Sequence, residues 1–229
     1  MTTSKHLVRT ALAAALMAGA ASSQAATMTL SSWTWNNGNA VNVTSSASNF
    51  NGQAGGFTGT LTGAPGFDGA INTYCVELGQ FFSFGNAYTN YSVVDADTYF
   101  GAAKAGRLAS LLSFVDDSDL FLNAASGQRD NLSTSLQLAV WNIVYDTDLS
   151  LTVNGSLNDS SAQASMANTL LTGAHNWTSS YDLFVLSSPT AQDQLIWRLS
   201  SNDVPEPGSF ALAGLALAGL AASRRRRAS

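Results

Sequence analysis

The residues best suited to chemistry in this chain begin with Cys75, its only cysteine. With no partner for an intramolecular disulfide, its thiol is either a nucleophile or a small apolar filler on a strand. Pairing with His175 would make it the nucleophile of a thiol hydrolase, but no motif flanks either residue, and a histidine just after a helix end is ordinarily a loop or capping group. Asp116-Asp117-Ser118-Asp119 and Asp146-Thr147-Asp148 offer carboxylates to calcium. Neither has the spacing of a calcium loop, and solvated acidic turns account for both. Asp146 closes a helix, where a carboxylate opposes the dipole, which suits a local hydrogen-bonding role. No phosphate loop, zinc cluster or Ser-His-Asp arrangement is visible, so neither a metal nor a cofactor is expected. Three further stretches carry amides and aromatics: Thr73-Tyr74-Cys75-Val76-Glu77, Leu136-Gln137-Leu138-Ala139-Val140-Trp141 and Ala191-Gln192-Asp193-Gln194-Leu195-Ile196.

These stretches lie in elements of different period. Thr27 to Trp35 reads as a strand with a register break, and Val41-Asn42-Val43 as a short strand. Asn49 to Gly69 is a Gly-rich loop or hairpin. Ala70 to Leu78 alternates as a strand, with Cys75 and Glu77 on one face and Tyr74 and Val76 on the other. Phe81 to Phe84 and Asn90 to Val94 continue that sheet. Leu108, Leu111, Leu112 and Val115 then fall at helical spacing within 102–115. Asp130 caps a second helix carrying Leu136, Val140 and Ile143; Asp159 caps a third that Gly173 stops. Leu183 to Leu186 and Gln194 to Leu199 return to strand. The expected fold is α+β: a β-sandwich or partial barrel with a helical insertion between its halves.

Together the three stretches resemble the thioester domains of bacterial surface adhesins. That family has an aromatic-Cys-apolar strand motif, a Thr-Gln-x-Ala-Ile/Val-Trp helix motif and a Gln followed by apolar residues on a late strand. Tyr74-Cys75-Val76 fits the first. Gln137 to Trp141 fits the second, with Leu136 where the family has Thr. Gln192 is the first choice for the late glutamine although Asp193 follows it; Gln194, followed by Leu195-Ile196, is the second. The resemblance implies that the Cys75 thiol condenses with the carboxamide of Gln192, releasing ammonia. The internal thioester so formed acylates an amine on a partner. Gln137 and Trp141 would support and shelter it from water.

The two ends of the chain carry addresses. Lys5, His6 and Arg9 precede an apolar run from Ala11 to Ala21, and Ser23-Gln24-Ala25 supplies the small residues that signal peptidase reads. Cleavage is expected after Ala25, with Ala26 as the other candidate. At the far end Val204-Pro205-Glu206-Pro207 opens a segment that is apolar from Phe210 to Ala222. That segment, expected as an apolar helix, ends in Arg224, Arg225, Arg226 and Arg227, which the positive-inside rule holds in the cytoplasm. This tail resembles the PEP-CTERM sorting signal of Gram-negative bacteria, also catalogued as an ice-binding protein C-terminal domain. The resemblance implies removal by exosortase as the protein crosses the inner membrane. The chain would be membrane-anchored until then, and released to the cell surface or extracellular matrix.

The expected organisation is a signal peptide over 1–25, a thioester-domain-like module over 26–200 and a sorting signal over 201–229. Six of the ten basic residues lie in the two ends. The body between residues 26 and 204 keeps four basic against fourteen acidic side chains, a net charge of −10, which disfavours nucleic acid and anionic membranes as partners. Expected partners are signal peptidase and exosortase during export and, afterwards, an amine-bearing surface or matrix molecule. Three functions remain open from sequence. One is a covalent adhesin that reacts once and is not an enzyme; another is a passive structural component of an exopolysaccharide or biofilm matrix; the third is a secreted enzyme.

Overall fold

The computed structural model describes residues 25–146, 148–151 and 157–200. Its strands are β1 (Ala26–Trp33), β2 (Asn39–Ser45), β3 (Phe50–Ala54), β4 (Phe57–Thr62), β5 (Gly69–Cys75), β6 (Ala87–Asp95), β7 (Leu157–Asp159), β8 (Tyr181–Ser187) and β9 (Gln194–Leu199). The helices α1 (Ala96–Phe100), α2 (Ala102–Asp117), α3 (Leu120–Asn123), α4 (Arg129–Tyr145) and α5 (Ala164–Ala174) all lie between β6 and β8. The expected helical insertion is therefore present.

Six strands close into a barrel in the order β1-β4-β5-β9-β8-β6, and β6 returns to pair with β1. The sandwich alternative is thereby corrected to a barrel, and closure leaves those strands no free edge. Alternation drives the arrangement. Met28 and Leu30 of β1 and Phe57 and Leu61 of β4 point inward, while Thr58, Thr60 and Thr62 face out or half out. A Cβ at Gly59 would stand 2.3 Å from the carbonyl oxygen of Thr29, so only glycine lets β1 and β4 approach as they do. The expected register break in β1 falls between Leu30 and Ser32.

A second sheet, β3-β2-β7, stands apart from the barrel. The stretch from Asn49 to Gly69 is thus not a single hairpin. β3 pairs with β2, β4 joins the barrel, and Gly55-Gly56 carries the chain between the two sheets. Helix α4 is buried on every side from Leu132 to Ile143, which explains its weak amphipathic pattern. Its buried polar side chains are consumed as stitches. Ser133 Oγ accepts from Gly56 N at 2.8 Å, and Thr134 Oγ1 donates to Ala54 O at 2.7 Å.

Four local features differ from expectation. The segment Phe81 to Phe84 is a strap rather than a strand. Asp130 lies within the first turn of α4, whose N-cap is Gln128. Asp159 ends β7 and accepts from Asn42 N and Ser161 N, whereas Gln163 is the N-cap of α5. Gly173 does not stop α5, which runs on to Ala174. A Cβ there would meet the Phe114 ring at 2.5 Å, so Gly173 serves the packing of α5 on α2. Among the described residues no helix is long and apolar enough to cross a membrane. The expected signal peptide and the expected C-terminal apolar helix lie outside the described residues.

Candidate functional site

Cys75 is the last residue of β5, and its register partner on the neighbouring strand is Gln194, the first residue of β9. Its backbone is held from outside the sheet. Cys75 N donates to Gln137 Oε1 at 2.8 Å, and Gln137 Nε2 donates back to Cys75 O at 2.7 Å. The carboxamide from α4 thus takes the place of a neighbouring strand where β5 ends. Trp141 follows Gln137 by one helical turn and is fully buried; its indole N–H has no acceptor among the described residues.

The Cys75 thiol points at two carboxamides. Its Sγ lies 2.7 Å from Gln192 Oε1, the ordinary length of an O–H···O bond and so close for the larger sulfur atom. Gln194 Nε2 stands at 3.5 Å from the same sulfur. Gln192 is fixed from three directions. Its Nε2 donates to Glu77 O at 2.9 Å, its own carbonyl accepts from Tyr91 OH at 2.7 Å, and Gln194 Nε2 donates to that carbonyl at 3.4 Å. Thr73 Oγ1 shares its one hydroxyl proton between Leu195 O at 2.8 Å and Gln194 Oε1 at 3.2 Å, so the Gln194 amide oxygen faces Thr73 and its nitrogen faces sulfur. Gln192 is the nearer of the two expected partners.

Asp193, which stands where the thioester-domain resemblance expects an apolar residue, faces away from the sulfur. Its Oδ1 accepts from Ser188 N at 2.6 Å, and its Oδ2 accepts from Ser187 Oγ at 2.9 Å and Tyr99 OH at 2.6 Å. Its backbone is clamped to the strand end: Val76 N donates to Asp193 O at 3.1 Å and Asp193 N donates to Glu77 Oε2 at 3.0 Å. Asp193 therefore shapes the turn that presents Gln192.

Burial raises the Cys75 thiol well above its ordinary range; the Gln194 hydrogen bond opposes that shift and the nearby Glu77 charge adds to it. The thiol is held neutral, and the side-chain groups that touch its sulfur are carboxamides rather than a base. A thiol hydrolase needs the thiolate. His175 does not supply its base from the same cavity: it lines a separate one between α2 and α5 with Arg107, and Cys75 is not among the residues there. Burial also raises Glu77, against the Asp193 N–H that holds its charged form, and the Asp193 carboxylate adds to the rise.

The expected acidic groups are occupied elsewhere. Asp116 Oδ2 accepts from Tyr181 OH at 2.6 Å and Asp117 Oδ2 from Trp177 Nε1 at 2.9 Å, tying α2 to the chain around β8. Asp146 Oδ1 accepts from Asp148 N and Asp146 Oδ2 from Leu157 N, the local role its position suggested. Among the described residues no three His, Cys, Asp or Glu side chains gather as a metal site. Sequence reasoning missed Tyr91, Glu77 and the phenylalanines of the strap. The signal for Glu77 was its place two residues beyond Cys75 on the same strand face; Tyr91 left none.

Residues 203–227 match the PEP-CTERM protein-sorting motif. No curated protein and no solved structure matches the chain. The matched segment contains the Val204-Pro205-Glu206-Pro207 motif and Arg224 to Arg227. It marks an exosortase-targeted, exported protein destined for the cell surface or extracellular space.

Proposed function

We propose that this exported protein is a single-use acyl donor: an internal thioester joins Cys75 Sγ to the side-chain carbonyl carbon of Gln192, and an amine on a surface or matrix partner opens it. In forming it, sulfur adds to the Gln192 carboxamide carbon, the carbon–nitrogen bond breaks, and the thiol proton leaves with nitrogen as ammonia. In using it, the amine nitrogen adds to the same carbon, the carbon–sulfur bond breaks, and the proton lost from nitrogen returns Cys75 to a thiol. The partner ends up on an amide link. The reaction consumes the donor, so the protein is not a turnover enzyme. Exosortase removes the tail beforehand, during export, freeing the module from the inner membrane to reach that partner.

The observation that carries this proposal is the 2.7 Å approach of Cys75 Sγ to Gln192 Oε1 in a buried setting. Two clamps support it: Gln137 on the Cys75 backbone, and Glu77 on both the Gln192 carboxamide and the Asp193 backbone. A passive matrix component is the competing function, and full burial of a neutral thiol is what favours it. Intact mass of the exported protein before and after methylamine separates the two. The thioester predicts a mass short by one ammonia that rises by one methylamine, and neither change in Cys75→Ala. A full mass that methylamine leaves untouched would leave the passive function standing.

A further inference from the structure

A cavity of about 400 Å³ opens beside Cys75 and Gln192. That is room for one small group, near the low end for ligand sites. Its walls are aromatic. Trp33, Phe57, Phe82 and Phe84 form one cluster with ring centroids 4.7 to 5.9 Å apart, and Phe50 meets Trp141 edge-on at 5.2 Å. No Asp, Glu, Lys or Arg lines it among the described residues. The strap between Gly79 and Gly85 supplies one wall. Two of its rings stay open to solvent, Phe81 at 67% and Phe84 at 40% exposure. Large rings left at the mouth of an uncharged cavity are unusual on a body as acidic as this one.

We propose that this cavity is the acceptor subsite, taking the apolar stem of a primary amine whose nitrogen reaches the Gln192 acyl carbon. The inference rests on the proposed thioester and adds the class of amine it accepts. Only a free-base amine is a nucleophile, and an aromatic cavity without a carboxylate favours the uncharged form. Burying an alkyl or aryl stem there is favourable. An amine with a charge beside its stem would have to leave that charge unpaired between rings, so it is rejected. The natural partner therefore presents its amine on an uncharged stem rather than within a charged cluster.

The test measures adduct formation by intact mass on the exported protein with three probes: methylamine, n-pentylamine and 4-aminobutanoate, with rates expressed per free-base amine. Pentylamine is expected to react roughly tenfold faster or more than the other two, since each buried methylene is worth about fourfold. Phe81→Ala is expected to shrink that ratio and Phe81→Leu to restore most of it. Phe81 is exposed enough to change without unfolding the barrel. A protein that has lost ammonia yet acylates all three probes alike would overturn the subsite and leave the thioester intact. So would a ratio that Phe81→Ala leaves unchanged. A protein that never loses ammonia would overturn both.

Discussion

At the residue scale the site depends on buried amides that satisfy one another. Gln137 pairs with both backbone groups of Cys75, so Gln137→Ala orphans a buried donor and a buried acceptor at once. Leaving each unmade costs about 1–3 kcal/mol, so urea unfolding of this variant should show a loss of roughly 2–6 kcal/mol. Retention of wild-type stability would mean that the Gln137 clamp is dispensable. Glu77 makes a prediction about pH. Its folded-state pKa is raised, so the native state binds the proton more tightly than the unfolded chain. Stability from this group is complete below the ordinary carboxylate pKa and falls as pH rises through the raised value. Glu77→Gln keeps an acceptor for Asp193 N without the charge. It should match the wild type in acid and exceed it at neutral pH, as read from urea midpoints in the two buffers. Equal midpoints in both would show that the group is not shifted.

At the element scale the barrel requires β1 and β4 to lie unusually close. Gly59→Ala places a methyl group against the Thr29 carbonyl, a backbone atom that cannot swing aside. Overpacking of this kind costs about 1–3 kcal/mol, and a lowered thermal midpoint is expected. Because β4 pairs directly with β5, parting it from β1 should also slow the proposed loss of ammonia at Cys75. The alternation of β1 and β5 was legible, since Ala26, Met28 and Leu30 of the one and Ile71, Thr73 and Cys75 of the other are buried on one face; β6, β8 and β9 were legible from their apolar and β-branched runs instead. β3 and β4 were hidden because glycines interrupt their pattern at Gly52, Gly55, Gly56 and Gly59. The strap was misread for the opposite reason: Phe81, Phe82 and Phe84 have strand propensity, but they spend it on ring packing over a cavity rather than on a ladder. Asp159 looked like a helix cap and instead ties β7 to Asn42 of β2, a contact between residues far apart in the chain.

At the scale of the whole molecule, export and folding meet at the ends of the body. β1 begins at Ala26, which is buried and paired with Tyr91, whereas Ala25 is exposed. Signal cleavage after Ala25 preserves every residue of β1, so N-terminal sequencing of the exported protein should start at Ala26. A start at Thr27 would show that the barrel tolerates the loss of that first pairing. Replacing Pro205, Glu206 and Pro207 by Ala should leave a longer, cell-associated chain, checked by fractionation and intact mass. Unchanged release would mean that another element directs sorting. The C-terminal sorting address was legible in the sequence alone, because a linear motif is read as an extended segment and needs no fold to present it. The sequence also determined the helical insertion and the main strands, because periodicity is a local property of the chain. That Gln192 stands nearer Cys75 than Gln194 does comes from the tertiary structure, because Gln192 lies in the turn before β9 and Gln194 two residues on at its first position, and their directions depend on the turn that Asp193 holds. The aromatic cavity likewise exists only where β3, α4 and the strap converge, since none of its walls is adjacent to Cys75 in sequence.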